Sequence, residues 1–264
     1  MELLGVDVGG TGIKAAVVDT RRGVLSGERI RVPTPQPSTP AAVAGATAGL
    51  VEGLVPGAPA GIGFPAVVCD GTTLTAANVD PAWVGAPAES IFSEALGREC
   101  AVVNDADAAG LAEMRFGAGR GERGVVLMLT LGTGIGSALF VDGTLVPNTE
   151  LGHLELGGEE AEARASAVAR EREELSWKRW ASRLNAYLLH VEGLLWPDLV
   201  IVGGGVSRKQ EKFLPLLTPR RARLAVAAMG NAAGVVGAAL VAASRAEGAP
   251  ASGIRAARVT TVGG

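Results

Sequence analysis

Cysteine is nearly missing from this chain, which carries only Cys69 and Cys100. Two scattered thiols exclude a disulfide framework, argue against a thiolate metal centre and fit a reducing compartment, so the sequence reads as cytoplasmic. Aromatic residues make up 4% of the chain, too few for base stacking to be a broad theme. Charge of one sign is also lacking: the net value of −3 attracts neither nucleic acid nor a membrane surface. No apolar run is long enough to span a bilayer, and the N-terminus has neither the basic region nor the apolar core of a secretory signal. Gly-Lys-Ser/Thr never occurs, which removes the Walker type of phosphate loop.

What remains is apolar and rich in turns. Hydrophobic residues make up 48% of 264 positions, enough for one large domain or two lobes, and 38 glycines with 14 prolines imply many tight turns. The organising stretch is Leu3 to Lys14: an apolar strand, a turn carrying Gly9, Gly10 and Gly12, then a second strand from Ile13 to Asp19. Glycine lets phosphate oxygens approach backbone N–H groups. Asp7 sits just before the turn, Thr11 adds a hydroxyl and Lys14 a positive charge. Gly10 to Ala15 also fits the loose dinucleotide pattern G-x-G-x-x-A, but that motif opens a helix, and here β-branched residues follow. A plain hairpin with no ligand is the other reading of these residues.

Residues 3–8, 13–19 and 24–32 read as successive strands. Thr39-Pro40 starts a helix running to about Leu54, Gly61 to Val68 is a strand broken at Pro65, and Thr72 to Ala76 is a short edge strand. Asn78 lies in a polar loop before Trp83. The helix from Ser90 to Leu96 stops at Gly97. The strand ending in Asn104-Asp105 runs into a helix, the position where open α/β sheets bind ligands; the plainer reading makes Asp105 a helix cap. Residues 124–131 and 137–141 repeat the opening design around Thr130, Gly132, Thr133 and Gly134, so two related halves each offer a phosphate-binding hairpin. Glu150, His153 and Glu155 place three titratable groups in six residues; their spacing excludes the H-E-x-x-H metal motif, and metal, acid/base and structural roles stay open. Glu159 to Glu174 reads as an exposed helix with i,i+4 ion pairs, and Trp177 to Leu195 as a helix whose Trp177, Trp180 and Tyr187, with Trp196 after it, make core or subunit contacts. His190 reads as structural. A third glycine turn, Gly203 to Gly205, follows the strand from Asp198, with Arg208, Lys209, Lys212, Arg220, Arg221 and Arg223 after it. Asn231 to Arg245 is a small-residue helix.

The stretches Gly5–Lys14, Thr34–Pro37, Thr75–Asp80 with Trp83, Asn104–Gly110, Leu131–Ser137, Pro147–Glu155 and Trp196–Gly205 with Ser207, in this order, resemble the ROK family of sugar kinases, and most of all its bacterial polyphosphate glucokinase branch. The resemblance covers the chain from residue 4 to about 242. It implies an α/β fold of the actin/hexokinase (ribonuclease H-like) kind, two lobes flanking a central cleft: residues 1–104 plus about 231–247 as the small lobe, 105–230 as the large lobe and 248–264 as a loose tail. It implies that Asp105 is the base for the sugar's 6-hydroxyl, and that Asn78, Asn104, Glu150, His153 and Glu155 hold the other hydroxyls. Asp7, Gly9 to Gly12 and Lys14, with Thr130 to Gly134, would cradle phosphates whose charge Mg²⁺ shares; Gly203 to Gly205 would line a nucleoside site. The implied partners are glucose with polyphosphate and/or ATP, in a homodimer.

Two departures from the family pattern matter. Where many members carry a cysteine-rich zinc motif, Glu155 to Glu162 contains none, so no structural zinc is expected; and Pro65-Ala66 stands where Pro-Gly is frequent. Two rival functions are weighed. A sugar-sensing repressor would need a helix-turn-helix before the first strand, which begins at residue 3, and a nicotinamide dehydrogenase would need a helix after Gly12. The basic residues at 208–223, with Arg120 and Arg123, are expected to track a long polyanion if polyphosphate is the donor.

Overall fold

The computed structural model describes residues 1–248. These fall into two compact units, residues 1–112 with 232–248, and residues 113–231. Beyond its first residue, the tail read at 248–264 lies outside the described residues.

The first unit begins with β1 (Glu2–Gly9) and β2 (Gly12–Asp19), an antiparallel hairpin that sets Asp7 opposite Lys14. The third expected strand is two short pieces, β3 (Val24–Leu25) and β4 (Ile30–Val32), both paired with β2. Helix α1 (Pro40–Val51) starts as expected, with Thr39 Oγ1 accepting from Ala42 N at 3.4 Å, and ends three residues before Leu54. Strand β5 (Ala60–Phe64) is wholly buried and stops before Pro65, which has no N–H for a ladder. A small hairpin of β6 (Val68–Cys69) and β7 (Thr72–Thr73) follows, then α2 (Ala88–Leu96), which ends on Gly97 at φ 62°. Strand β8 (Cys100–Asn104) leads directly into α3 (Asp105–Phe116). The sheet order is β3-β2-β1-β5-β8, with β4 also on β2, and β1, β5 and β8 run parallel. One face packs on Phe64, Trp83 and Phe92, with the Phe64 and Trp83 rings 4.3 Å apart. The Trp83 indole donates to the Ser38 carbonyl at 2.9 Å, satisfying its one polar atom in the core.

The second unit repeats the plan. Strands β9 (Val125–Leu131), β10 (Ile135–Val141) and β11 (Thr144–Val146) form an antiparallel meander. The exposed helix expected over 159–174 is instead two short helices, α4 (Ala161–Ala165) and α5 (Ala167–Arg172), broken at Ser166. Ser166 caps α5 by accepting from Ala169 N at 3.1 Å. Ala161, Ala165 and Ala169 are buried, and the ion pairs join Arg164 to Glu159 and Arg172 and Arg183 to Glu173 rather than an i,i+4 ladder. Helix α6 (Trp177–Leu195) packs Trp180 and Tyr187 into the core, leaves His190 exposed and ends on Trp196, which is 54% exposed. Strands β12 (Leu199–Gly203) and β13 (Arg223–Val226) complete the order β11-β10-β9-β12-β13, with β9, β12 and β13 parallel. Two buried carboxylates anchor loops here. Glu192 accepts from the N–H groups of Arg220, Arg221 and Ala222 at 2.6, 2.6 and 2.8 Å, and Glu113 from those of Ala118, Ala228 and Met229 at 2.8, 3.0 and 2.7 Å.

Helix α7 (Ala233–Ala246) belongs to the first unit, where it lies on β1, β5 and β8. Its residues are small because the approach is backbone to backbone. A Cβ at Gly61 would land on the Ala238 carbonyl, and one at Gly237 on that of Ala108 in α3. Arg245 near its end meets Glu89 at 2.5 Å. Both cysteines are free thiols, Cys69 exposed and Cys100 buried. Among the described residues no helix is long and apolar enough to cross a membrane.

Candidate active site

The β1–β2 register brings the Lys14 ammonium to 2.7 Å from the Asp7 carboxylate, beside the Gly9–Gly12 turn. The turn is held from outside by the proline-rich segment: Thr34 Oγ1 donates to the Gly9 carbonyl at 2.5 Å. Arg31 on β4 also reaches it. Its Nη2 donates to the Thr11 carbonyl at 3.3 Å, and its guanidinium lies so close over Gly12 that a Cβ there would be 2.5 Å from Nε. Sequence reasoning missed Arg31; its signal was the alternation of β4, which puts Arg31 opposite Lys14. Asn78 lies in an exposed loop whose carbonyl would be 3.4 Å from a Cβ at Gly10, and the loop is tied to the same segment by Asp80 N donating to Ser38 Oγ at 3.0 Å. Behind Asp7 stands Gly234 of α7, where a Cβ would be 2.9 Å from the Asp7 Cγ.

The cap of α3 is Asn104, not Asp105. Asn104 Oδ1 accepts from Ala106 N and Asp107 N at 2.9 and 3.1 Å, while its Nδ2 donates to the Ala66 carbonyl at 3.2 Å. With Asn104 Oδ1 accepting from both N–H groups, the cap does not depend on Asp105. Asp105 is the first helical residue, and its Oδ1 accepts from Ala106 N at 2.8 Å.

In the second unit, the Gly132–Gly134 turn joins β9 to β10 and closes with Gly132 N donating to Gly134 O at 3.0 Å. Thr130 lies on β9 opposite Gly136, and Thr133 is at the tip. The Gly203–Gly205 turn presses on it: Gly204, at φ 83°, has its Cα side against the Leu131 backbone, a position closed to any residue with a Cβ. Helix α5 also starts there, with Val168 N donating to the Gly132 carbonyl at 3.2 Å.

The Glu150–Glu155 segment is clamped to β10 through Ser137, whose hydroxyl bonds the Thr149 carbonyl and accepts from Leu151 N at 3.1 Å. It forms a tight helical turn at Leu151–His153. His153 Nε2 is 3.7 Å from Glu150 and its Nδ1 is 3.3 Å from Glu160. Glu162, which accepts from Ile135 N at 3.1 Å, completes a group in which His153, Glu160 and Glu162 place ligand-capable atoms within 4.8 Å of one another. Burial pulls the His153 imidazole down, but the hydrogen bond with Glu160 and the charges of Glu162, Glu160 and Glu150 outweigh it, so its pKa lies above the ordinary value. Burial raises the Glu150 carboxyl, with His153 opposing. The set has the donor atoms for a divalent cation, although His153 Nδ1 already faces Glu160 and Glu162 already accepts from Ile135 N. Glu155 is exposed, bridges to Glu160 through the backbone and stands outside that group. Glu160 and Glu162 were the residues missed here; the buried Ala161/Ala165 spacing was the signal that this stretch turns one face inward.

Comparison with known proteins follows the same lines. The family model described as "ROK family" matches residues 3–165. The polyphosphate glucokinase of Mycobacterium tuberculosis (strain CDC 1551 / Oshkosh) is 49% identical over 237 residues, covering 89% of each chain. The crystal structure of the inorganic polyphosphate/ATP-glucomannokinase from Arthrobacter sp. strain KM superposes with a TM-score of 0.90 at 50% identity, covering 92% of this chain and 99% of that one. A ROK family glucokinase from Streptomyces griseus, in complex with glucose and AMPPNP, gives a TM-score of 0.78 at 28% identity over 92% of this chain and 100% of the other.

Proposed function

The chain belongs to the ROK family and has the actin/hexokinase-like fold of its sugar kinases, and from that premise we propose how it works as a glucokinase. It transfers a phosphoryl group from inorganic polyphosphate and/or ATP to the 6-hydroxyl of glucose, giving glucose 6-phosphate. What carries this reading is the likeness, over nearly the whole chain, to proteins named for that reaction, joined to a carboxylate, Asp105, at the first position of α3, whose cap is Asn104.

The chemistry follows from the residues. The 6-hydroxyl oxygen attacks the terminal phosphorus, the bond from that phosphorus to the bridging oxygen breaks, and the hydroxyl proton passes to Asp105. General-base help of this kind contributes about 10²–10⁴-fold. Phosphoryl transfer otherwise asks for positioning and charge neutralisation. The backbone N–H groups of the Gly9–Gly12 and Gly132–Gly134 turns supply part of it, and the cations of Lys14 and Arg31 at the first turn supply more. Asn78, Asn104, Glu150, His153 and Glu155 take the remaining sugar hydroxyls; each buried hydroxyl left unpaired would cost about 1–3 kcal/mol. The hard oxygen donors here suit Mg²⁺ arriving with the donor: Asp7 would offer one carboxylate oxygen, phosphates and water the rest, and the ion would neutralise charge on the transferring group. Gly203–Gly205 lines the nucleoside position when ATP is used. We place the enzyme in the cytoplasm as a homodimer, with no nucleic-acid or membrane partner.

The test is glucose 6-phosphate formation from each donor with Mg²⁺, in the native chain and in Asp105→Asn. Expected is transfer whose kcat falls about 10²–10⁴-fold in the variant while glucose binding by calorimetry persists. No transfer from either donor with glucose still bound would refute the kinase reading in favour of a sugar sensor.

A further inference from the structure

Some basic residues of the second unit are matched by carboxylates and others are not. Arg164, Arg183, Arg221 and Arg223 each face a carboxylate, at 3.6 Å (Glu159), 2.7 Å (Glu173), 2.5 Å (Asp198) and 2.6 Å (Glu122). Arg170, Arg208, Lys209 and Lys212 face none among the described residues. Within the run from 208 to 223 expected to track a polyanion, Arg221 and Arg223 are paired with carboxylates, whereas Arg208, Lys209 and Lys212 are not.

Two of the uncompensated cations meet on one ring. Arg170 lies over the Trp177 ring with Cζ 3.7 Å from its centroid, and the Lys212 ammonium is 5.8 Å from the same centroid. The ring is fixed by Phe213, stacked at 6.1 Å, and Trp180, edge-on at 5.7 Å. Arg170 Nε is buried with no hydrogen-bond partner among the described residues. Arg170 sits on α5, whose start is bonded to the Gly132 carbonyl, and Arg208, Lys209 and Lys212 sit on the 3-10 stretch Gly205–Lys212, which leaves the Gly204 contact with Leu131. Two segments that carry unpaired positive charge therefore both begin at the Gly132–Gly134 turn.

Resting on the reading of that turn as a phosphate cradle, we propose that Arg170 and Lys212 on Trp177, with Arg208 and Lys209, form a subsite for the distal phosphates of an extended polyphosphate donor. A chain longer than a nucleoside triphosphate would run past the turn onto this platform. The guanidinium can fork onto phosphate oxygens while its face stays on the indole, and the ammonium groups add charge.

The experiment compares native protein with Arg170→Gln/Lys212→Gln and with Lys209→Gln/Lys212→Gln; the second pair changes exposed residues only, so a folding defect in the first does not hide the answer. The donors are long-chain polyphosphate, tetraphosphate and ATP, and binding of long-chain polyphosphate to an Asp105→Asn background is followed by Trp fluorescence. Expected is a rise of about tenfold in KM and Kd for the long chain, a smaller change for tetraphosphate and ATP, and a flatter salt dependence of long-chain binding. Equal changes for all three donors, or none, would overturn the subsite while the kinase reading stands. Transfer by the native protein from ATP alone would overturn both the subsite and the polyphosphate half of the donor assignment, leaving the sugar chemistry intact.

Discussion

Replacing Gly234 by alanine sets two effects against each other. Gly234 lies in the first turn of α7, where alanine is the better helix former by about 1 kcal/mol. The new Cβ would stand 2.9 Å from the Asp7 Cγ, 3.1 Å from its Oδ2 and 3.3 Å from its Cβ. Ordinary contact begins at 3.4 Å, so the Asp7 side chain must retreat by about 0.5 Å. It cannot do so by swinging a long flexible end: the Cγ is two bonds from a strand fixed between β2 and β5, and the carboxylate is held by Lys14 at 2.7 Å. Overpacking of this size costs about 1–3 kcal/mol, so the helix gain is cancelled or exceeded and the net loss of stability is about 0–2 kcal/mol. Function is less forgiving. Catalytic groups work within about 0.5 Å of their productive geometry, and a 1 Å misplacement costs about 100-fold. Gly234→Ala is therefore expected to lower its Tm by no more than about 8 °C, by the usual conversion for a chain of this size, while kcat/KM for the phosphoryl donor falls about tenfold and glucose KM moves little. Thermal unfolding and a coupled glucose 6-phosphate assay read the two quantities. Unchanged donor kinetics, or a loss shared by both substrates with a collapsed Tm, would refute the argument that Asp7 belongs to the donor side.

Three further outcomes are expected. Glu192→Gln should cost about 2–4 kcal/mol in urea unfolding at pH 7, because three N–H groups lose a charged acceptor. Burial raises the Glu192 carboxyl, but the N–H groups of Ala222, Arg220 and Arg221 hold it below its ordinary 4.5 on balance, so its stabilisation is present above 4.5, fades as pH falls through the lowered value, and should disappear from the acid limb in the variant. His153 runs the other way: its raised pKa stabilises the fold below 6.5 and ceases to do so as pH rises through the folded-state value, and Glu160→Gln should move its NMR titration midpoint down. A thiol reagent at pH 8 should label Cys69 alone in the native protein and both cysteines in denaturant, since burial lifts the Cys100 thiol to about 11.

The elements that carry glycine turns were legible in the sequence because their signals are local: an apolar run, a change to Gly and Thr, an apolar run again. The same holds for Thr39 as a cap and for α6, whose start and end were read to the residue. What escaped depended on partners distant in the chain. Whether Asp105 or Asn104 caps α3 turns on the Ala66 carbonyl, 38 positions away from Asn104, which orients the amide. The 159–174 stretch has the composition of a solvated helix, yet three alanines at i,i+4 spacing bury one face and Ser166 breaks it. Arg31 reads as one more surface charge until β4 is laid beside β2. The basic run at 208–223 looked uniform because sequence shows the cations but not the carboxylates at Asp198 and Glu122 that neutralise two of them.

The position of α7 has a consequence for synthesis. A chain leaves the ribosome N-terminus first, and residues 113–231 are contiguous, so that unit has all its strands as soon as β13 emerges. The sheet made earlier, of β1 to β5 and β8, has its strands but not its cover: the face that receives Gly5, Gly61 and Ala108 against α7 stays bare until residues 233–246 have been made. The unit that starts first therefore finishes last. Its open face, carrying the strand that leads into Asp105, must be shielded through the translation of the whole second unit, and a truncation before Ala233 would leave it bare for good.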